Sequence, residues 1–472
     1  MTSQPDDLIA IDAVAPAEVG ELDSRRRREK IYTRRIEGRY QKIRLYTGWP
    51  LLMGYLTLPW VSMNGRPVIL FDLAGRKFHI FNLTLWPQDL VLLGFLLIIA
   101  AFALFTVTTV WGRLWCGYTC PQTIWTAIFM YIEQRFEGSR NQRIKLDMEP
   151  PSWPKLRKKT LKHAGWVLVA SVTGITFVGY FVPIRSLIPD LVTLSAANSA
   201  MAFTLLFSTA TYLNAGYMRE KVCTQLCPYA RFQSVMFDQN TLVVSYHQHR
   251  GEPRGSRKRL APPSDHQGDC IDCELCVQVC PTGIDIRNGL QYECIGCALC
   301  IDACDSIMAK MGSPKGLISY SSGEGASRQQ SPVISAKALG YAAALLIMMT
   351  VFTGTLLTRN RVELTASRDR AQLYVPAPGG LIDNVYELHI TNRDHTAHQF
   401  EIGVRGFDHG SIIGNTTVTI PGGEMLEVDL RYRANPRLLQ DVGTDIAFTV
   451  TMEGNSAVNA VARSRFIRSS IE

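Results

Sequence analysis

Residues 270–304 constrain this chain more than any other stretch, because eight of its twelve cysteines fall there into two copies of one pattern. The first copy is Cys270, Cys273, Cys276 and Cys280, followed by Pro281; the second is Cys294, Cys297, Cys300 and Cys304, followed by Asp305. C-x-x-C-x-x-C-x-x-x-C twice is the spacing of bacterial two-cluster iron–sulfur carriers, in which the last cysteine of each run ligates the other cluster. Three thiolates of one tight loop reach one face of an iron–sulfur cube, and the fourth corner comes from elsewhere. The spacing therefore assigns Cys270, Cys273, Cys276 and Cys304 to one 4Fe-4S cluster, and Cys294, Cys297, Cys300 and Cys280 to a second. Zinc is the rival, but its sites show two cysteine pairs with a longer spacer. Asp305 occupies a place where the second run usually has proline, which leaves ligation intact and is expected to alter the loop beside Cys304.

The 472 residues suffice for about three domains on length alone. However, 47% of them are hydrophobic, in long uncharged stretches that point to membrane spans rather than one large soluble core. The excess of 49 Lys plus Arg over 41 Asp plus Glu is small, and the basic residues lie beside apolar stretches, so a nucleic-acid partner has no support. The first 24 residues are acidic and mixed, without the basic start and apolar run of a cleavable signal, and Met1 to Asp23 reads as a disordered tail. Eight cysteines in a cluster motif imply a reducing compartment around them.

The N-terminal segment, 1–44, carries ten basic side chains between residues 25 and 44, beginning with Arg25 to Arg28. Uncharged stretches then run over Leu45–Gly65, with Pro50 and Pro59 as kinks, Leu90–Gly112, Ala164–Ile184, Leu191–Met218 and Ala338–Thr358. Each is long enough to cross a hydrocarbon core of about 30 Å, so five transmembrane helices are expected. Lys and Arg are retained on the cytoplasmic side. The loop Ser62–Pro87 holds only Arg66, Arg76 and Lys77, whereas Trp111–Thr160 holds nine basic residues. The N-terminus is thus expected in the cytoplasm of a multi-pass inner-membrane protein. A four-helix membrane domain covers 45–218, a cytoplasmic segment with the cluster domain (about 265–315) covers 219–336, a fifth span covers 337–358, and 359–472 is periplasmic.

This exported part contains no cysteine and reads as all-β. Tyr386, Leu388 and Ile390 alternate with polar residues, as do Phe400, Ile402 and Val404, then Leu426, Val428, Leu430 and Tyr432, then Ile446, Phe448, Val450 and Met452. Turn signals at Pro421-Gly422-Gly423 and Gly454-Asn455 separate them, so an antiparallel sandwich is expected. His395 and His398, and the pair His247 and His249, are read as solvated loop histidines rather than metal ligands. The Gly-, Pro- and Arg-rich segment Arg250–Arg259 is read as a flexible cationic strap near anionic headgroups.

The remaining four cysteines form Cys116-Gly117-Tyr118-Thr119-Cys120-Pro121 and Cys223-Thr224-Gln225-Leu226-Cys227-Pro228. One C-x-x-x-C-P string thus follows the second span and another the fourth, both at the cytoplasmic membrane surface, as if a two-helix unit occurred twice. Packed face to face, the two units would bring four thiols together. Proline suits the first turn of a helix, which would seat Cys120 and Cys227 at helix N-termini, where the dipole favours thiolate. Arg113, Arg219 and Lys221 push the same way. A low-pKa sulfur set is expected, suited to Cu(I), to a dithiol/disulfide pair or to another thiophilic cofactor. The alternative is small, buried packing cysteines. Trp111, Trp115, Tyr118 and Trp125 are expected to form an interfacial belt.

With both C-x-x-x-C-P motifs, the double cysteine run ahead of a last span and the C-terminal sandwich in view, the chain resembles the cytochrome c oxidase accessory proteins of the FixG, RdxA and CcoG type. The related NapH and NosR polyferredoxins share the four spans and the cysteine motifs, but are not expected to end in this domain. The resemblance implies a ferredoxin-like insert with two 4Fe-4S clusters and an immunoglobulin-like sandwich. It also implies a cupric reductase that supplies Cu(I) to cbb-type oxidases, beside membrane lipid, a copper-exporting P-type ATPase, oxidase assembly proteins and an unknown electron donor. Copper would meet the protein near Cys116, Cys120, Cys223 and Cys227. A general or quinol-linked redox relay and a redox-sensing assembly scaffold are the alternatives.

Overall fold

The computed structural model describes residues 30–468, apart from positions 64, 82, 87–88, 239, 258–266, 323–334, 370–373, 395, 407–408 and 439–442. The acidic tail, Arg25–Arg28, His395 and the end of the cationic strap lie outside the described residues. The chain divides into two compact units, one of Met1–Trp60 with Ala100–Leu345 and one of Val61–Ile99 with Leu346–Glu472.

Helices dominate the first unit: α1 (Arg39–Thr57), α2 (Leu90–Trp111), α3 (Leu114–Tyr118), α4 (Pro121–Glu137), α5 (Arg140–Met148), α6 (Trp153–Val178), α7 (Ile184–Val192) and α8 (Asn198–Thr211). There follow α9 (Pro228–Met236), α10 (Leu275–Val279), α11 (Leu299–Met311) and α12 (Ala336–Leu357), of which α2 and α12 continue into the second unit. Among the described residues, three helices, α2, α6 and α12, are long and apolar enough to cross a bilayer.

The other two expected spans differ in their ends. α1 starts inside the basic stretch at Arg39 and stops at Thr57, and a 3-10 turn over Leu58–Trp60 leads into extended chain. Pro59 cannot donate to a continuing helix, and Ser62–Met63 pairs with Arg66–Pro67 instead. The stretch from Leu191 is interrupted where Leu194 takes a left-handed φ of 57°, resumes as α8 at Asn198, and widens into a π-helical turn over Tyr212–Met218. α6 begins earlier than expected, at Trp153, because Pro154 sits in its first turn and the Ser152 hydroxyl accepts the Lys155 N–H at 3.4 Å.

The cysteine-rich insert is closed by the antiparallel strands Val243–Tyr246 and Ile318–Ser321, and its core gathers Val244, Ile286, Ile301, Met308 and Ile318. The helix α11 runs through Cys304 and Asp305 to Met311, as a proline at 305 would not favour, and the Asp305 carboxylate accepts the Gly316 N–H at 2.9 Å.

In the second unit the strands are β1 (Val362–Arg368), β2 (Val375–Ala377), β3 (Leu381–Asn392), β4 (His398–Arg405), β5 (Gly410–Ile413), β6 (Thr417–Ile420), β7 (Met425–Ala434), β8 (Gly443–Met452) and β9 (Asn455–Ile467). One sheet has the order β5-β7-β3-β1, with β2 pairing β3, and the other the order β6-β4-β8-β9. Tyr386, Leu388, Ile390, Phe400, Phe448 and Val450 are fully buried between them, while Leu426 is exposed. The segment 62–87, read from sequence only as a loop, contains a three-stranded sheet of Ile69–Asp72, Lys77–Ile80 and Leu83–Leu85. Buried Asp89 beside it accepts the Trp86 N–H at 3.0 Å and pairs with Arg393 at 3.1 Å and with Arg359.

Candidate iron–sulfur and thiol centre

The two cysteine loops share one backbone device. In Cys270-Ile271-Asp272-Cys273-Glu274-Leu275-Cys276 the residues Asp272 and Glu274 have φ of 51° and 54°; in Cys294-Ile295-Gly296-Cys297-Ala298-Leu299-Cys300 the equivalent Gly296 and Ala298 have 66° and 60°. Left-handed residues are costly for side chains with a Cβ, and three of these four have one. Alternating left-handed residues curl the chain so that successive N–H groups face one concavity, the kind of nest that holds an anionic iron–sulfur group.

Cys304 lies close enough to Cys270, Cys273 and Cys276 for all three to raise its pKa, behind burial as the first cause, and it is pushed up to about 12. Cys300 is likewise raised by burial, then by Cys297, Cys294 and Cys280. The fourth cysteine of each run therefore neighbours the other run's first three. A small cavity is ringed by Cys280, Cys294, Cys297 and Cys300. Among the described residues, the only His, Cys, Asp or Glu trio whose ligand atoms lie within 4.8 Å of one another is Glu387, His389 and Glu427, in the second unit. A tetrahedral zinc, with Zn–S of about 2.3 Å, needs sulfurs about 3.8 Å apart. No three of the loop sulfurs lie within 4.8 Å of one another. Donor set, nest and spacing fit iron–sulfur clusters better than zinc.

The structure also draws the two C-x-x-x-C-P motifs together. Cys116 sits in α3 and Cys120 is the N-cap of α4, with Pro121 behind it; Cys223 lies in a π-helical turn over Val222–Leu226, and Cys227 is the N-cap of α9 before Pro228. The pKa of Cys116 is raised by burial first and then by Cys120, Cys223 and Cys227, apart from an opposing pull by Arg113. Cys116 and Cys223 both pack against the apolar shell of Cys297, Leu275, Val279 and Ile295.

The expectation of low-pKa thiols is corrected. Burial pushes Cys116 and Cys223 up to about 12 and raises Cys120, even though Gln122 and Thr123 offer backbone N–H groups to its sulfur. Dipole and cations do not compensate the lost hydration, so a bound metal must displace the protons. Arg219 is directed elsewhere, its guanidinium meeting Glu133 at 2.9 Å. Arg113 does serve the site: buried, it donates to the carbonyls of Cys294 at 3.0 Å and Ala230 at 2.8 Å, and also to that of Tyr292. It thereby ties the end of α2 to the second cysteine loop.

Several participants carry no local sequence signal. The Cys116 thiol donates to Gln233 Oε1 at 3.3 Å, and the Thr123 hydroxyl donates to the Cys116 carbonyl at 2.5 Å. A Cβ on Gly117 would fall 2.9 Å from the Gly296 carbonyl oxygen and 3.0 Å from the Cys297 N and Cα, so the first motif lies directly on the second cysteine loop. Of the expected belt, Trp111 and Trp115 are exposed, but Tyr118 is buried, its hydroxyl 3.2 Å from that of Tyr320, and Trp125 donates to Thr173 at 2.8 Å. The start of the strap is likewise fixed, because Arg250 pairs with Asp269 at 2.6 Å and Arg257 donates to Ser313 at 2.8 Å. His247 contacts Ser319 at 2.7 Å, and His398 pairs with Asp394 at 3.1 Å.

Residues 218–323 match a family described as a 4Fe-4S dicluster domain, residues 93–137 one described as a 4Fe-4S binding domain, and residues 352–469 the IG-like fold at the C-terminus of FixG. The chain is 38% identical to the nitrogen fixation protein FixG of Rhizobium meliloti, over 78% of this chain and 77% of that one. It is 37% identical to protein RdxB of Cereibacter sphaeroides, over 85% and 88%. A crystal structure of a FixG-related protein from Vibrio parahaemolyticus matches 24% of this chain and 99% of its own at 26% identity, with a TM-score of 0.22.

Proposed function

Because the chain belongs to the FixG/RdxA-type family of membrane iron–sulfur proteins, we propose that it is a cupric reductase, delivering electrons to Cu(II) near Cys116, Cys120, Cys223 and Cys227 and supplying Cu(I) for assembly of a cbb-type oxidase. In this reading the chain crosses the inner membrane five times, with the cysteine loops in the cytoplasm and the sandwich in the periplasm, and works beside a copper-exporting P-type ATPase and oxidase assembly proteins. Two 4Fe-4S clusters held by Cys270, Cys273, Cys276 and Cys304 and by Cys294, Cys297, Cys300 and Cys280 supply one-electron storage.

The observation that carries the reading is the apolar shell that the two sets of cysteines share. Cys116 and Cys223 share an apolar shell with Cys297, and Gly117 leaves no gap against that loop. An electron held at the second loop therefore has a short, dry route to the four thiols. There Cu(II) gains one electron, and soft sulfur stabilises the Cu(I) formed over the harder divalent ion, which favours the reduction.

Anaerobic protein reduced with dithionite and freed of excess reductant should convert Cu(II) to Cu(I), trapped by a Cu(I)-specific chelator. The variant with all four of these cysteines changed to Ser should lose that activity while the loop clusters keep their spectra. Undiminished copper reduction by that variant would sink the mechanism, and a wild type that is oxidised by other acceptors but not by Cu(II) would favour a copper-free relay.

A further inference from the structure

We propose that Cys116, Cys120, Cys223 and Cys227 together hold a third iron–sulfur cluster, so that copper meets the edge of a cluster rather than four free thiols. The inference rests on the redox role given above to these cysteines and says what occupies them.

The segment 93–137, which matches a 4Fe-4S binding family, contains only two cysteines, Cys116 and Cys120. A cubane needs four protein ligands. The fold supplies the missing two, since Cys223 packs against the same apolar shell as Cys116, and Cys227 and Cys120 follow them as the N-caps of α9 and α4. Each half-site has the same construction, one cysteine on a helical turn and the second as the N-cap of a helix that opens on proline.

Spacing separates a cluster from a single ion. No three of these sulfurs lie within 4.8 Å of one another, as four ligands of one tetrahedral ion must. The eight loop cysteines, whose segment matches a dicluster family, have the same property. The surroundings suit an anionic cluster as well. The Cys116 sulfur lies 3.3 Å from the Gln233 amide, and the buried Arg113 guanidinium donates to the neighbouring carbonyls of Cys294 at 3.0 Å and Ala230 at 2.8 Å. Hydrogen bonds and a nearby cation are the levers by which a protein tunes such a centre.

The test is chemical analysis of the full-length protein purified without oxygen. Three 4Fe-4S clusters require about 12 iron and about 12 sulfide ions per chain, and two require about 8. The wild type is expected near the higher figure, with Cys116, Cys120, Cys223 and Cys227 refractory to alkylation until acid or a chelator removes iron. The variant with all four changed to Ser is expected to fall by a third in iron and to keep the two loop-cluster signals. Wild-type protein with the lower iron content and four alkylatable cysteines at these positions would overturn the proposal, whatever the variant does. The two readings fail separately. Copper reduction by protein with the lower iron content leaves the cupric reductase and removes the third cluster, and full iron content without copper reduction does the reverse.

Discussion

Glu133 is completely buried on α4, the helix that Cys120 caps, and three cations converge on it: Arg143 at 3.1 Å, Arg219 at 2.9 Å and Lys30 at 3.4 Å. Arg219 ends the π-helical turn four residues before Cys223. The carboxylate therefore clamps the helix behind one cysteine pair to the turn before the other. In Glu133→Ala, Arg143, itself fully buried, retains the Thr33 carbonyl, and Arg219 retains that of Gly216 at 2.8 Å, but among the described residues neither keeps a carboxylate within ion-pair distance. Removing one partner of a buried ion pair costs about 3–5 kcal/mol. With two guanidiniums stranded, the upper end applies, and half-exposed Lys30 adds little. Denaturant titration of the detergent-solubilised protein should read this as a loss of about four orders of magnitude in the folding equilibrium, together with release of the proposed third cluster's iron before that of the loop clusters. The pH dependence has a definite sign. Burial pushes the Glu133 carboxyl up, but Arg219, Lys30 and Arg143 outweigh it and hold it below the usual 4.5. Its contribution is therefore complete above that value and disappears as the pH falls through the depressed one, so wild type should lose stability on acidification and Glu133→Gln should lose less. A Glu133→Ala protein within about 0.5 kcal/mol of wild type, or strict additivity with Arg219→Met, would refute the clamp.

Two further perturbations probe the sulfur centres. Gly117→Ala places a methyl group against the Gly296–Cys297 backbone, which cannot yield as a side-chain tip can; the overpacking should cost about 1–3 kcal/mol and slow Cu(II) reduction while iron content stays unchanged, as stopped-flow bleaching of the dithionite-reduced protein would register. Arg287→Met removes a buried cation that pairs with Asp285 at 2.7 Å and Asp272 at 2.5 Å and lowers the pKa of Cys276, so the midpoint potential of the cluster held by Cys270, Cys273, Cys276 and Cys304 should move negative in a redox titration followed by EPR, with the other cluster unaffected.

Much of this was legible in the residues because the signals are local. The double cysteine run specifies which sulfurs share a loop, alternation places Tyr386, Leu388 and Ile390 or Phe448 and Val450 on one face, and the prolines after Cys120 and Cys227 start helices there. The errors also have physical causes. Apolar length locates α2 and α12 well, but it does not register that Leu194 breaks the fourth stretch or that Ser62–Met63 prefers a strand partner to another helical turn. The thiol pKa values were misjudged because helix N-termini and nearby arginines can be read from the chain, whereas burial cannot.

Ligand chemistry, strand alternation and helix starts were thus determined by the sequence itself, since each depends on residues a few positions apart. Only the tertiary structure decided that Cys116 packs against the same apolar shell as Cys223, more than a hundred positions away, that Arg113 reaches the second cysteine loop while Arg219 turns to Glu133, and that Gly117 rests on Cys297. Such pairings arise when helices pack, where burial and close approach set the energies, and neither quantity is a property of any short segment.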